Sequence, residues 1–204
     1  VVVGSRGQFD LLSVGVDHAE GARIAARHLL DLGHERLVHV SGPLDWLDAS
    51  QRLEAWHREI QRSGVQENPS IVGGWGSAAG YERGMQILLE SDVTGVFVSN
   101  DQIALGVLSA LHRHGVRIPQ DISVLGYGDT ADSAFYEPPL TTVREDVAEV
   151  GQRAIDMLLS AINGGSPESA TVKPRLVVRE STAPVAGHGR RPPVPDGAPS
   201  VSSP

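Results

Sequence analysis

The chain is 204 residues long, with 17 basic and 25 acidic side chains and a net charge of −8. That length suits one large domain or two small ones, and 40% apolar with 21% charged residues is ordinary for a globular chain. The absence of cysteine excludes a disulfide framework, a thiolate zinc site and a cysteine nucleophile; no apolar run approaches the roughly 18 to 20 residues of a membrane span, and the acidic balance has the wrong sign for nonspecific attraction to a phosphate backbone.

In chain order, apolar runs of strand length alternate with segments of helical period. Val1 to Val3 and Leu12 to Val16 read as strands, and the first, met without a methionine, looks entered mid-element. Gly21 to Leu32 places Ala22, Ala25, Ala26, Leu29 and Leu30 at helical spacing, with Gly33 as its stop. Leu37 to Val40 is strand-like. Asp48 and Gln51 have capping-box spacing and open a predicted helix through Leu53, Trp56 and Ile60 to Gly64. Further on, Ile71-Val72, Gly95 to Val98, Ile122 to Tyr127 and Leu176 to Val178 read as strands. Ser77 to Glu90, Asp101 to His114 and Val147 to Ile162 read as helices. Thr130 to Thr142, with Pro138-Pro139, reads as a long irregular loop. Residues 186–204 are Gly, Pro, Ser and Arg-rich and read as a disordered tail.

Strands apolar on both faces, joined by helices, predict an open, doubly wound parallel α/β sheet. Catalytic templates fail on it. His34-Glu35 is followed by His39, one residue too far for a zinc-binding HExxH helix, and no GxSxG, GxxxxGK or GxGxxG stands in the right place. His112 and His114 at a helix end suit the helix dipole better than a metal. No catalytic, metal or cofactor site is therefore expected.

The positive signal is positional. Ligands of open parallel sheets bind beyond the carboxyl ends of the strands. Asp48 and Arg52 follow the strand ending at Val40, and Trp75 follows Ile71-Val72. Asn100 and Asp101 follow Gly95 to Val98, and Tyr127 and Asp129 follow the strand from Ile122. Each has a plainer reading: Asp48 and Asp101 suit helix N-caps, Arg52 a surface charge and Tyr127 core packing. Trp75 among glycines is odd for core. An arginine, a tryptophan and amides on one rim suit a small polyhydroxylated or planar ligand.

Five segments then carry a resemblance: HLLDLGHERLVHVSGP (His28 to Pro43), SNDQIALGVLSAL (Ser99 to Leu111), GVRIPQDISVLGYGDT (Gly115 to Thr130), EPPLTTVRED (Glu137 to Asp146) and LVVREST (Leu176 to Thr182). In order and spacing the chain from Val1 to about Pro184 resembles the LacI/GalR family of bacterial transcriptional repressors. The resemblance implies a periplasmic-binding-protein-like type I core. Two subdomains would enclose an effector, usually a sugar or a nucleobase, in a cytoplasmic homodimer or tetramer without a membrane partner. Residues 18–146 and 176–185 would form the C-terminal effector-binding subdomain, and 1–17 with 147–175 part of the N-terminal one. Operator DNA would be bound by a helix-turn-helix ahead of Val1, and the helix from Val147 would lack much of the sheet it packs on. By position Arg52, Trp75, Asn100 and Glu145 would line the effector pocket, with Asp48 and Asp129 on its rim. One departure stands out. The family usually has an aspartate where this chain has Gly128. That leaves open a different ligand, weak sugar binding, or an Asp129 turned inward by the glycine. A sugar-binding protein of a transport system, with the same fold, is the alternative.

Overall fold

The computed structural model describes residues 1–4, 11–65, 68–90 and 92–185; the expected tail at 186–204 lies outside them. The described residues form two sheets. The larger runs in the order β4 (Ile71–Val72), β3 (Leu37–Ser41), β5 (Gly95–Val98), β6 (Ser123–Gly128), β7 (Thr141–Arg144), β9 (Arg175–Val177). Its pairings are parallel except that β9 lies antiparallel to β7 at the edge. The smaller sheet is parallel, in the order β1 (Val2–Val3), β2 (Ser13–Val16), β8 (Ala170–Val172).

Strand alternation sorts the core of the larger sheet into two layers. Val38, Val40, Val96, Val98 and Val124 face one side, against α3 (Ser77–Leu89) and α4 (Asp101–Arg113). Leu37, Phe97, Leu125, Tyr127 and Val143 face the other, against α1 (His18–Asp31) and α2 (Leu47–Ser63). Helices α3 and α4 lie close because Gly106 leaves no room for a side chain against the Ser77 carbonyl. The doubly wound architecture is thus present, and its strands end on a common rim.

Several boundaries differ from the sequence reading for local reasons. Helix α1 starts at His18 because the Asp17 carboxylate accepts from the Glu20 N–H and caps it. Helix α2 starts at Leu47 with Trp46 as N-cap and no side-chain cap bond, so Asp48 lies inside the first turn, where a carboxylate still favours the helix dipole. Asn100, not Asp101, caps α4, its Oδ1 accepting from the Ile103 N–H at 2.6 Å. The expected irregular loop holds a 3-10 turn at Ser133–Phe135 and ends in β7. Threonine-rich β7 carries no apolar signature. Its buried hydroxyls are satisfied by Asp101, which accepts from Thr142 at 2.7 Å, and by Thr182, 3.0 Å from Thr141 Oγ1. β8 is likewise additional, a short edge with an exposed position.

The smaller sheet is covered by α5 (Val147–Ile162), whose Val150 and Met157 pack on Val14 and Val172. β1, β2, α5 and β8 all fall within 1–17 and 147–175.

Candidate functional site at the rim of the larger sheet

Four side chains, from α2, β6 and the end of β7, converge on His18. Its ring is buried at the start of α1, just beyond β2. Arg52, one turn into α2, places Nη1 2.9 Å from His18 Nδ1. The Tyr127 hydroxyl, at the end of β6, lies 3.0 Å from the same nitrogen. Glu145, just past β7, has Oε1 3.3 Å from Nδ1, and Asp48 has Oδ2 3.3 Å from Nε2. The Arg52 guanidinium also sits over the Tyr127 ring, 4.6 Å from its centroid. Gly21 makes this possible: a Cβ there would lie 2.7 Å from the Tyr127 ring and push it off α1.

The electrostatics of the cluster follow from burial. Arg52 is only 5% exposed, and its Nε has no hydrogen-bond partner among the described residues. An unpaired N–H on a buried cation is costly and is a ready donor to an incoming acceptor. Burial raises the Glu145 carboxyl above the ordinary carboxylate range, with His18 and Arg52 opposing that shift. Burial likewise pushes the Tyr127 hydroxyl up, so it stays a neutral donor and acceptor.

A second group lies at the ends of β3 and β4. Trp75 lies over Gly42 at the end of β3, in the space a Cβ there would fill, and meets Trp46 edge-on with centroids 5.8 Å apart. The Trp75 indole N–H is buried without a partner among the described residues. Asn100 donates from Nδ2 to the Trp75 carbonyl at 3.2 Å while its Oδ1 caps α4, so both ends of its amide are engaged.

Of the six residues expected to line the site, Asp48, Arg52 and Glu145 are therefore brought together, and Trp75 is held beside Asn100. Asp129 does not join them. Its carboxylate is 3% exposed, with Oδ1 accepting from Arg179 at 2.7 Å and Oδ2 from Arg144. Gly128 at φ 121° and Asp129 at φ 54° make the turn that aims it at those arginines, so the glycine does not deliver a carboxylate to the Arg52 cluster. Asp101, expected as a cap, is fully buried. It accepts from the Thr130 N–H at 2.9 Å and the Ser133 hydroxyl at 2.6 Å, tying α4 to the loop before β7.

The sequence reading missed His18. Its signal is a position beyond the carboxyl end of a strand, as for the others, but that strand is β2 of the smaller sheet. Among the described residues no group of His, Asp and Glu could hold a metal ion. The cluster offers donors and acceptors at fixed spacing around the Tyr127 ring, which is the chemistry of binding a polar ligand.

A family model described as a periplasmic binding protein-like domain matches residues 26–182. The chain is 37% identical over 176 residues to the lactose operon repressor of Escherichia coli (strain K12), covering 86% of this chain and 49% of that protein. A dimeric Lac repressor with an 11-residue C-terminal deletion superposes with a TM-score of 0.85 at 35% identity, over 90% of this chain and 68% of that one. The complex of the transcriptional regulator CelR with cellobiose superposes with a TM-score of 0.78 at 28% identity, over 84% of this chain and 54% of that one. The chain spans about half the length of the curated relatives it matches.

Proposed function

The chain belongs to the LacI/GalR family as its periplasmic-binding-protein-like core, and from that premise we propose that the Arg52 cluster receives a small-molecule effector, a sugar or a sugar-like metabolite. The observation that carries this reading is the Arg52 guanidinium. It is buried with an Nε that has no partner among the described residues, against Tyr127 at the end of β6. A sugar hydroxyl accepts from such a donor, and the sugar's C–H face lies on an aromatic ring. The CelR relative binds cellobiose, which supports the ligand class.

Binding would act by population shift: an effector changes the equilibrium between two subdomain arrangements only through its differential affinity for them. In the longer protein that shift would govern operator binding by a helix-turn-helix outside this chain, in a cytoplasmic homodimer. The dimeric Lac repressor supports the assembly state. The boundaries 1–17 with 147–175 and 18–146 with 176–185 are proposed as the two subdomains. The curated relatives are repressors, so a transport solute-binding protein is the weaker reading.

The test is calorimetry against cellobiose, other neutral mono- and disaccharides, sugar phosphates and nucleobases, with light scattering for the dimer. Binding of a neutral sugar that is lost in Arg52→Ala is expected. A bound ligand whose affinity Arg52→Ala leaves unchanged would overturn the role of Arg52, and binding of sugar phosphates alone would overturn the ligand class.

A further inference from the structure

His18 Nδ1 is approached by more groups than one nitrogen can satisfy. Arg52 Nη1, at 2.9 Å, can only donate, so at that distance Nδ1 must present its lone pair. The proton of a neutral ring then sits on Nε2, toward Asp48 Oδ2 at 3.3 Å. Glu145 Oε1, at 3.3 Å from the same Nδ1, can bond an unprotonated nitrogen only by bringing its own proton. Were the imidazole protonated instead, Nδ1–H would donate to Glu145 and Nε2–H to Asp48, and the Arg52 N–H would face another N–H. The two arrangements exclude each other.

We propose that His18 is a positioning residue shared between Arg52 and Glu145: its Nδ1 lone pair accepts from Arg52, and a ligand that draws Arg52 away leaves the ring's proton free to move from Nε2 to Nδ1, where it is donated to Glu145. The proton lost from Nε2 goes to solvent as Nδ1 gains one, so the charge of the ring is unchanged. The ligand's part in this rests on the Arg52 cluster being the effector site; the tautomer that Arg52 sets does not.

The groups facing the ring are Asp48 and Arg52 from α2, Tyr127 from β6 and Glu145 beyond β7. More distant charges also enter: Asp101 acts on Glu145, and Arg52 acts on the buried His39. Burial raises the Glu145 carboxyl above the ordinary carboxylate range, and an Nδ1–H donated to it favours its ionised form once Arg52 leaves. Tyr127 stays neutral and can donate to either partner.

The experiment needs no effector. Histidine labelled with 15N and 13C is followed by NMR of the full chain at mildly alkaline pH, with the His18 signals assigned by their loss in His18→Gln. In the unaltered protein the neutral ring is expected as the Nε2–H tautomer. In Arg52→Ala it shifts to Nδ1–H, which donates to Glu145. In Glu145→Gln the Nε2–H tautomer is kept, because Arg52 still fixes it. The buried His34 and His39 report whether each variant keeps its fold, and Glu145→Gln carries the test if Arg52→Ala does not. An Nδ1–H tautomer in the unaltered protein or in Glu145→Gln overturns the proposal. Failure of every sugar to bind would end the effector reading and leave these tautomers unchanged, so the two can fail separately.

Discussion

Strand β5 of the larger sheet is buried at all four positions, whereas β1 of the smaller sheet is exposed at both of its two. The helices show the same contrast. Helix α4 buries Val107, Leu108, Ala110 and Leu111 between the sheet and α3. Helix α5 is at least as strongly amphipathic, yet Val147, Ile155, Leu158, Leu159 and Ile162 are between 47% and 70% exposed. Among the described residues the larger sheet has helices on both faces, and the smaller has α5 alone. An apolar stripe in a sequence states that a face is suited to burial; it does not state what covers it.

That contrast predicts unequal energetics. Trp56 is fully buried between His39 and Phe97, with ring centroids 5.8 and 5.3 Å away. Trp56→Ala is expected to cost about 3 to 5 kcal/mol in a urea titration, because the cavity is walled by a sheet and two helices that cannot collapse into it. A loss below about 1 kcal/mol would erase the distinction between the sheets.

Acid should also strike the larger sheet first. His34 bonds Thr94, Ser123 and the Ala183 carbonyl, and burial lowers it to about 4; burial lowers His39 to about 3. Both are depressed below the ordinary value near 6.5, so the unfolded chain binds protons first as pH falls. Stability is full above about pH 6.5, then falls by up to about 1.4 kcal/mol per pH unit for each histidine, until pH passes the folded values. The residues of β1, β2, β8 and α5 include no histidine. Hydrogen-exchange protection, with each rate taken relative to the intrinsic rate at that pH, should therefore fall between pH 7 and pH 4.5 across β5 and β6 more than across β2. An equal loss of protection in both sheets would count against histidine as the cause.

The smallest effect is expected on the open face. Leu159→Gln in the isolated chain should change stability by less than about 0.5 kcal/mol, since its side chain already meets water. In a longer protein whose further residues cover α5, the same change should cost more. Thermal unfolding of both forms gives the comparison directly, and a cost in the isolated chain as large as that of Trp56→Ala would show α5 to be packed after all.

Much of the fold was legible because its signals are local. Gly33, Gly64 and Gly115 ended helices where expected, and all three have positive φ. β7 and β8 were not legible. β7 is buried through hydroxyls bonded to Asp101 and Thr182, partners 40 or so residues away that no local pattern displays. The site divides the same way. Arg52, Asp48 and Glu145 were reachable from the rim rule and the family pattern. His18 also stands at a strand end, but of the smaller sheet, so its meeting with Arg52 depends on how distant segments cross, and the Asp129 carboxylate lies apart from them because two arginines hold it.

By itself, then, the sequence determined the alternation of strands and helices, the strand ends at which a ligand could bind, and the family. These depend on side-chain period, on caps and on motif register, all of which are written within a few turns of chain. The tertiary structure decided which groups meet. It placed His18 between Arg52 and Glu145, turned Asp129 away and left one face of α5 uncovered, because such contacts depend on how distant segments cross, and crossing is a property of the assembled sheet.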